Sequence, residues 1–239
     1  LDNLPINLTN LYCFGNQITS LDYLPIKLNY LNCSGNQINT LDYLPRDLKY
    51  LLCNNNKITE INCLPLNLLK LNCESNQITS IDNIPKTITW LNCSQNKITQ
   101  INLLPENINN LNCCFNQITY ISNLNDVLPE SLIKINCTGN KLTYLLKLPE
   151  KLEKLLCGKN KIESIEYFPL TLKVLNCEKN KISNLDNLPE GLEELICVAN
   201  KLTLLDNLPS SLKKLYCDFN YIKLLDNLPI SLEILLCSY

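Results

Sequence analysis

The prolines of this 239-residue chain keep one step. They stand at Pro5, Pro25, Pro45, Pro65, Pro85, Pro105, Pro129, Pro149, Pro169, Pro189, Pro209 and Pro229, 20 residues apart except for one step of 24 after Pro105. Twelve of the 14 cysteines keep the same step: Cys13, Cys33, Cys53, Cys73, Cys93, Cys113, Cys137, Cys157, Cys177, Cys197, Cys217 and Cys237. Three residues after all but the last comes an Asn: Asn16, Asn36, Asn56, Asn76, Asn96, Asn116, Asn140, Asn160, Asn180, Asn200 and Asn220. One unit reads Leu28-x-x-Leu31-x-Cys33-x-x-Asn36-x-Ile38, then Leu41-Asp42-x-Leu44-Pro45. Repeats of this length stack into a quasi-one-dimensional array, in which each unit contacts its neighbours.

Within a unit, Leu31-Asn32-Cys33 alternates apolar, polar, apolar. That predicts a short strand with Leu31 and Cys33 facing in and Asn32 facing out. Leu28, Ile38, Leu41 and Leu44 are expected to fill the same interior from the return path. Proline in every return segment forbids a regular ladder there and favours extended or turning backbone with little helix. One unit buries too few apolar groups to offset the ordering of its backbone, so stacking must stabilise it.

These residues resemble the L-x-x-L-x-L-x-x-N-x-L stretch of leucine-rich repeats, with Cys in the third apolar slot. The 20-residue period and the Leu-x-x-Leu-Pro tail resemble the short bacterial class found in type III secretion effectors of the Yop and Ipa kind. That class carries Leu-Pro-x-Leu-Pro where this chain mostly has Leu-Asp-x-Leu-Pro. Some of those effectors carry a separate ubiquitin-ligase domain, and nothing in this chain matches one. The composition, rich in Asn, Ile, Lys, Tyr and Leu, also resembles that of repeat proteins of amoeba-infecting giant viruses. The resemblance implies an α/β-type repeat solenoid, mostly β. Its parallel sheet lines a concave face, and extended or turn segments form the convex one. We expect residues 1–239 to form a single solenoid of about twelve repeats, one lengthened within 122–127. With no Met and both ends in mid-pattern, the chain reads as a segment of a longer protein.

Fourteen cysteines invite a disulfide or metal reading, and their spacing argues against both. Metal knuckles need Cys pairs two to four residues apart. Cys-x-x-Asn is not such a pair, and thiols side by side on neighbouring rungs have poor disulfide geometry. Cys33, Cys53, Cys73 and their equivalents are expected to form a reduced, buried ladder, which implies a reducing compartment and a cytoplasmic location, including host cytoplasm. Asn36, Asn56, Asn76 and their equivalents are expected to form a second ladder, bonding bare backbone groups where each strand turns. Cys63 lies on the return path. Cys114 falls on the outer strand face and is the first candidate for a reactive thiol, but the chain has no His to activate it, and an exposed incidental Cys is the other reading. Asp22, Asp42, Asp82, Asp186, Asp206 and Asp226 share one slot and are expected to cap their own turns rather than act in pairs.

A net charge of −2 disfavours nucleic acid and membrane surfaces. No run of about 18 apolar residues spans a membrane, and no signal-peptide pattern opens the chain. Neither catalytic residues, a metal site nor a cofactor site is expected. Glu153, Lys173, Glu193, Lys213 and Glu233 alternate in sign in one slot, which reads as lateral self-neutralisation. Lys141, Lys161, Lys181 and Lys201 form a column beside the Asn ladder, readable as a solvated edge or as a surface for an acidic partner.

Outward slots of the first repeats carry Tyr12, Phe14, Tyr30, Tyr50 and Trp90, framed by Asn32, Asn72, Asn92 and Asn112. Aromatics among uncharged polar groups on one exposed face suit a protein interface. Tyr216 with Phe219 forms a second, smaller patch. The expected function is a non-enzymatic protein-binding module presenting a rigid concave surface, effector-like or viral, with a host protein as partner. The alternative is a structural protein whose uncapped ends stack head to tail into homo-oligomers.

Overall fold

The computed structural model describes residues 1, 3–121 and 127–238. The chain divides into two compact units, Leu1–Gln117 and Ile118–Tyr239. The insertion expected within 122–127 lies outside the described residues, apart from exposed Val127.

The first unit holds strands β1 (Asn10–Tyr12), β2 (Tyr30–Asn32), β3 (Tyr50–Leu52), β4 (Lys70–Asn72), β5 (Trp90–Asn92) and β6 (Asn110–Asn112). The second holds β7 (Lys134–Asn136), β8 (Lys154–Leu156), β9 (Val174–Asn176), β10 (Glu194–Ile196), β11 (Lys214–Tyr216) and β12 (Ile234–Leu236). Within each unit every strand pairs in parallel with the next, and equivalent repeat positions face one another, as in Leu31↔Leu51 and Leu175↔Leu195. There is no helix among the described residues. This is the mostly-β leucine-rich-repeat architecture. The strand begins one residue earlier than the alternation suggests, at Tyr30, while Cys33 extends the ladder by donating its N–H to the Leu52 carbonyl at 2.8 Å. The in-and-out assignment is unchanged.

Leu28, Leu31, Cys33 and Ile38 are buried, as is Leu41. Leu44 is only half-buried, and Pro45 beside it takes the interior position. The ten prolines from Pro25 to Pro209 are buried. Each proline carbonyl also accepts the N–H three residues on, as in Leu48 to Pro45 at 3.1 Å. Proline therefore does more than exclude a strand: its fixed φ pre-sets a tight turn that returns the chain to the sheet.

The Asn ladder takes the expected role with more bonds than the pattern reveals. Asn36 Nδ2 donates to the carbonyls of Cys13 (2.9 Å), Cys33 (3.0 Å) and Ser34 (3.2 Å), and its Oδ1 accepts from Ile18 N–H at 3.0 Å. Asn56 and Asn76 repeat the arrangement one and two repeats on. Each side chain thus joins two repeats and closes its own turn. Beside it, the residue two after each Cys adopts a left-handed φ between 51° and 70°, from Gly15 to Phe219. Its N–H donates to the next repeat, as in Ala199 to the Asp218 carbonyl at 2.9 Å.

All fourteen cysteines are free thiols. Cys33, Cys53 and Cys73 are buried, and each lies 3.4–3.5 Å from a carbonyl of the following repeat. Burial pushes the Cys33, Cys73 and Cys177 thiols up to about 12 and holds Cys53 well above the ordinary thiol range, with neighbouring cysteines adding to it. Two expectations need correction. Cys237 belongs to the column by sequence but is exposed, because no described strand follows β12 to cover it. Cys114 faces outward yet is buried, as treated below. The Asp slot also differs: Asp22 and Asp82 do not cap alone. Ser20 and Ser80 hydroxyls accept the Asp N–H at 3.1 Å and donate back to the carboxylate.

Candidate binding surface

Strand pleating points the first and third residues of each strand away from the core. In the first unit this makes parallel columns at repeat spacing. One runs Asn10, Tyr30, Tyr50, Lys70, Trp90, Asn110, and the next Tyr12, Asn32, Leu52, Asn72, Asn92, Asn112.

Three of the expected aromatics form a stack. Tyr12 and Tyr30 ring centroids lie 4.9 Å apart at 35°, and those of Tyr30 and Tyr50 6.3 Å apart at 37°. Such tilted pairs are favoured by the ring quadrupole. The ammonium of Lys70 closes the row, 6.0 Å from the Tyr50 centroid. Trp90, half-buried, occupies the register position after Lys70. Tyr12 and Phe14 are about 60% exposed. Burial first, and Tyr12 second, push the Tyr30 hydroxyl up, so it remains a neutral donor and acceptor.

The Asn frame behaves differently from expectation. The Oδ1 atoms of Asn32, Asn72, Asn92 and Asn112 each accept the N–H two residues on, at 3.2–3.3 Å, capping the strand end. Asn92 is buried and engaged on both sides: its Oδ1 also accepts from the Ser94 hydroxyl at 2.7 Å, and its Nδ2 donates to Glu74 at 3.0 Å. Asn92 is therefore a supporting residue, and its place in the expected contact surface is corrected. Asn72 is tied likewise to Asn54 at 3.3 Å, and stays half-buried like Asn32 and Asn112.

Cys114 completes that network. Burial chiefly raises its thiol, hydrogen bonds with Ser94 and Asn112 counter this, and the Glu74 charge adds to it. A neighbouring carboxylate and desolvation both oppose thiolate formation at Cys114, while its hydrogen bonds favour it. Sequence reasoning missed Lys70, whose signal was its position one repeat after Tyr50. It also missed Glu74 and Ser94, polar residues that lie one repeat apart in the same slot as Cys114.

In the second unit, Tyr216 is half-buried at the end of β11 and Phe219 is exposed. The alternating slot forms ion pairs, Lys173 to Glu153 at 3.8 Å and Lys213 to Glu193 at 2.8 Å. Hydrogen bonding and charge together lower the Glu193 carboxyl and raise the Lys213 ammonium. Among the described residues no group of three His, Cys, Asp or Glu side chains is placed to hold a metal ion. Among them, too, no helix is long and apolar enough to cross a membrane.

Fold, period and ladders define an array of leucine-rich repeats about 20 residues long. No known family profile matches the chain, and no curated protein matches it in sequence. Solved structures do. The functional domain of InlJ from Listeria monocytogenes, which includes a cysteine ladder, is similar with a TM-score of 0.87 and 30% identity, over 98% of this chain and 54% of that one. YopM from Yersinia enterocolitica WA-314 is similar with a TM-score of 0.80 and 29% identity, over 95% of this chain and 54% of that one. The chain spans about half the length of both. The leucine-rich repeats of FLRT2, in an octameric complex with latrophilin 3 and Unc5D, share the fold at 22% identity and a TM-score of 0.81, over 98% of this chain and 85% of that one.

Proposed function

We propose that this chain is a non-enzymatic protein-binding module whose partner docks on the sheet face of the first unit. The observation that carries the reading is the row Tyr12, Tyr30, Tyr50, Lys70 and Trp90, held on consecutive strands. Rings stacked on one another leave their edges and phenol hydroxyls for a partner. Tyr and Trp are the usual anchors of protein interfaces, and a strand-fixed row loses little freedom on binding. That FLRT2 is found within a multiprotein complex supports the same use of the fold. The 20-residue period and Leu-Pro tail that resemble type III secretion effectors favour an effector-like protein with a host protein as partner, and the composition supplies the viral alternative. The reduced cysteine ladder favours action in a reducing compartment such as the host cytoplasm.

The test is capture from host-cell lysate with the natural chain beside a Tyr30→Ala, Tyr50→Ala, Trp90→Ala triple variant of matched circular dichroism. A protein retained only by the natural chain supports the reading. Equal retention by both refutes this face as the site. Head-to-tail stacking is the second reading. Scattering mass that grows with concentration would select it.

A further inference from the structure

One slot is built differently in the two units. It follows the Asn ladder, and its backbone N–H donates to the preceding repeat throughout. In the first unit Gln37, Lys57, Gln77 and Lys97 do so at 2.8–2.9 Å. Their side chains satisfy one another: Lys57 Nζ donates to Gln37 Oε1 at 3.3 Å and Lys97 Nζ to Gln77 Oε1 at 3.1 Å. In the second unit the same slot is Lys141, Lys161, Lys181 and Lys201, again with N–H bonds of 2.8–2.9 Å to the preceding repeat. All four are exposed. Parallel rungs lie about 4.8 Å apart, so four ammonium stems stand in a row about 15 Å long. Lys159 and Lys179 stand two residues before Lys161 and Lys181, and both are exposed.

Carboxylates reach this surface without covering the column: Glu163 lies 3.5 Å from Lys181, and Glu178 lies 3.9 Å from Lys159. The unit neutralises a column within its own slot where structure alone is served, as the alternating Lys173–Glu153 and Lys213–Glu193 pairs demonstrate. The first unit demonstrates that the lysine slot itself tolerates alternate Gln. Lysine at all four positions of the slot therefore adds repulsion that folding does not need, and an anionic partner relieves it.

We propose that the Lys141, Lys161, Lys181 and Lys201 column binds an extended acidic segment of a partner polypeptide. An extended chain rises about 3.4 Å per residue, so five or six residues span the row, and carboxylates on one of its faces recur about every 7 Å, within reach of flexible lysine stems. A short segment is favoured over nucleic acid because residues 118–239 hold 14 basic and 15 acidic residues. The positive surface is local, and a long polyanion meets the acidic remainder. The column's exposed neighbours Phe219 and Tyr221 stand at its far end, where an apolar residue of the segment would rest.

The test is fluorescence anisotropy of a labelled hexaglutamate peptide at low salt, with ten-nucleotide oligothymidylate as the competing class. Lys161→Gln with Lys201→Gln restores the alternation of the first unit and should preserve the melting temperature. It should weaken peptide binding at least tenfold, while Lys161→Arg with Lys201→Arg retains it. Lys134→Gln with Lys154→Gln, which removes equal charge from the sheet face, should change affinity less than twofold. No binding at millimolar peptide overturns the proposal. So does equal loss in both Gln variants, or an oligonucleotide that binds more tightly than the peptide through the same lysines.

Discussion

Replacing Asn96 with Ala tests the ladder that joins the repeats. Its Nδ2 donates to the carbonyls of Cys73 (2.9 Å), Ser94 (3.0 Å) and Cys93 (3.2 Å), and its Oδ1 accepts from Ile78 N–H at 2.9 Å. The losses are unequal. Cys73 O keeps Asn76, Cys93 O keeps Asn116, and Ser94 O keeps the Ser75 N–H. Ile78 N–H loses its acceptor and is buried, at about 1–3 kcal/mol. Three further bonds add about 0.5–1.5 kcal/mol each, so Asn96→Ala should cost about 2.5–7.5 kcal/mol in urea unfolding followed by circular dichroism. Asn96→Asp is the sharper probe. It keeps the acceptor for Ile78 but sets a buried carboxylate against three carbonyl oxygens. Its folded pKa is raised, so the penalty is absent below the unfolded value of about 4, grows as pH rises and is complete above the folded pKa. Asp should therefore be worse than Ala at pH 7 and recover in acid. A cost below about 1 kcal/mol for Ala, or an Asp variant as stable as Ala at pH 7, would refute this account of the ladder.

Other outcomes follow from the same geometry. Ala199, at φ 54°, has a side chain with no hydrogen bonds to lose, so Ala199→Gly should stabilise the chain by about 1 kcal/mol in thermal melts, and a lower melting temperature would contradict it. The buried thiols have folded pKa values raised from 9.0 to about 12 at Cys33, Cys73 and Cys177, so their contribution is present below pH 9 and lost as pH rises towards 12. Each should lower stability by about 1.4 kcal/mol per pH unit in that window, and a flat urea midpoint between about pH 9 and 10.5 would count against it. A thiol reagent on the native chain should modify Cys63 quickly and spare Cys114, as peptide mapping would resolve.

Much of the fold was legible because the period writes each buried slot twelve times over. Leu31, Cys33 and Asn36 could be placed from spacing alone. The left-handed position two residues after Cys was not legible. Gly occupies it at Gly15, Gly35 and Gly139, but Phe115, Lys159 and Ala199 stand in the same conformation elsewhere. There the stacked backbone bonds impose the conformation that residue chemistry would refuse. Cys114 was placed on the correct face, yet alternation along a strand carries no information about side chains arriving from the neighbouring repeats. For the same reason the aromatic column could be read, while the tilt of its rings, the cap by Lys70 and the capture of Asn92 by Glu74 and Ser94 could not.

The in-register rungs also set how each unit yields to force. Tension drawn through the chain's end loads one rung at a time, because a repeat is tied to its neighbours at separations near 20 residues, as Asn96 is to Cys73 and Ile78. Each repeat that peels away frees about 65–70 Å of contour and surrenders about 4.8 Å of stack. The unit should therefore release its length in equal increments, behaving as a ratcheted spool whose clicks count the asparagines.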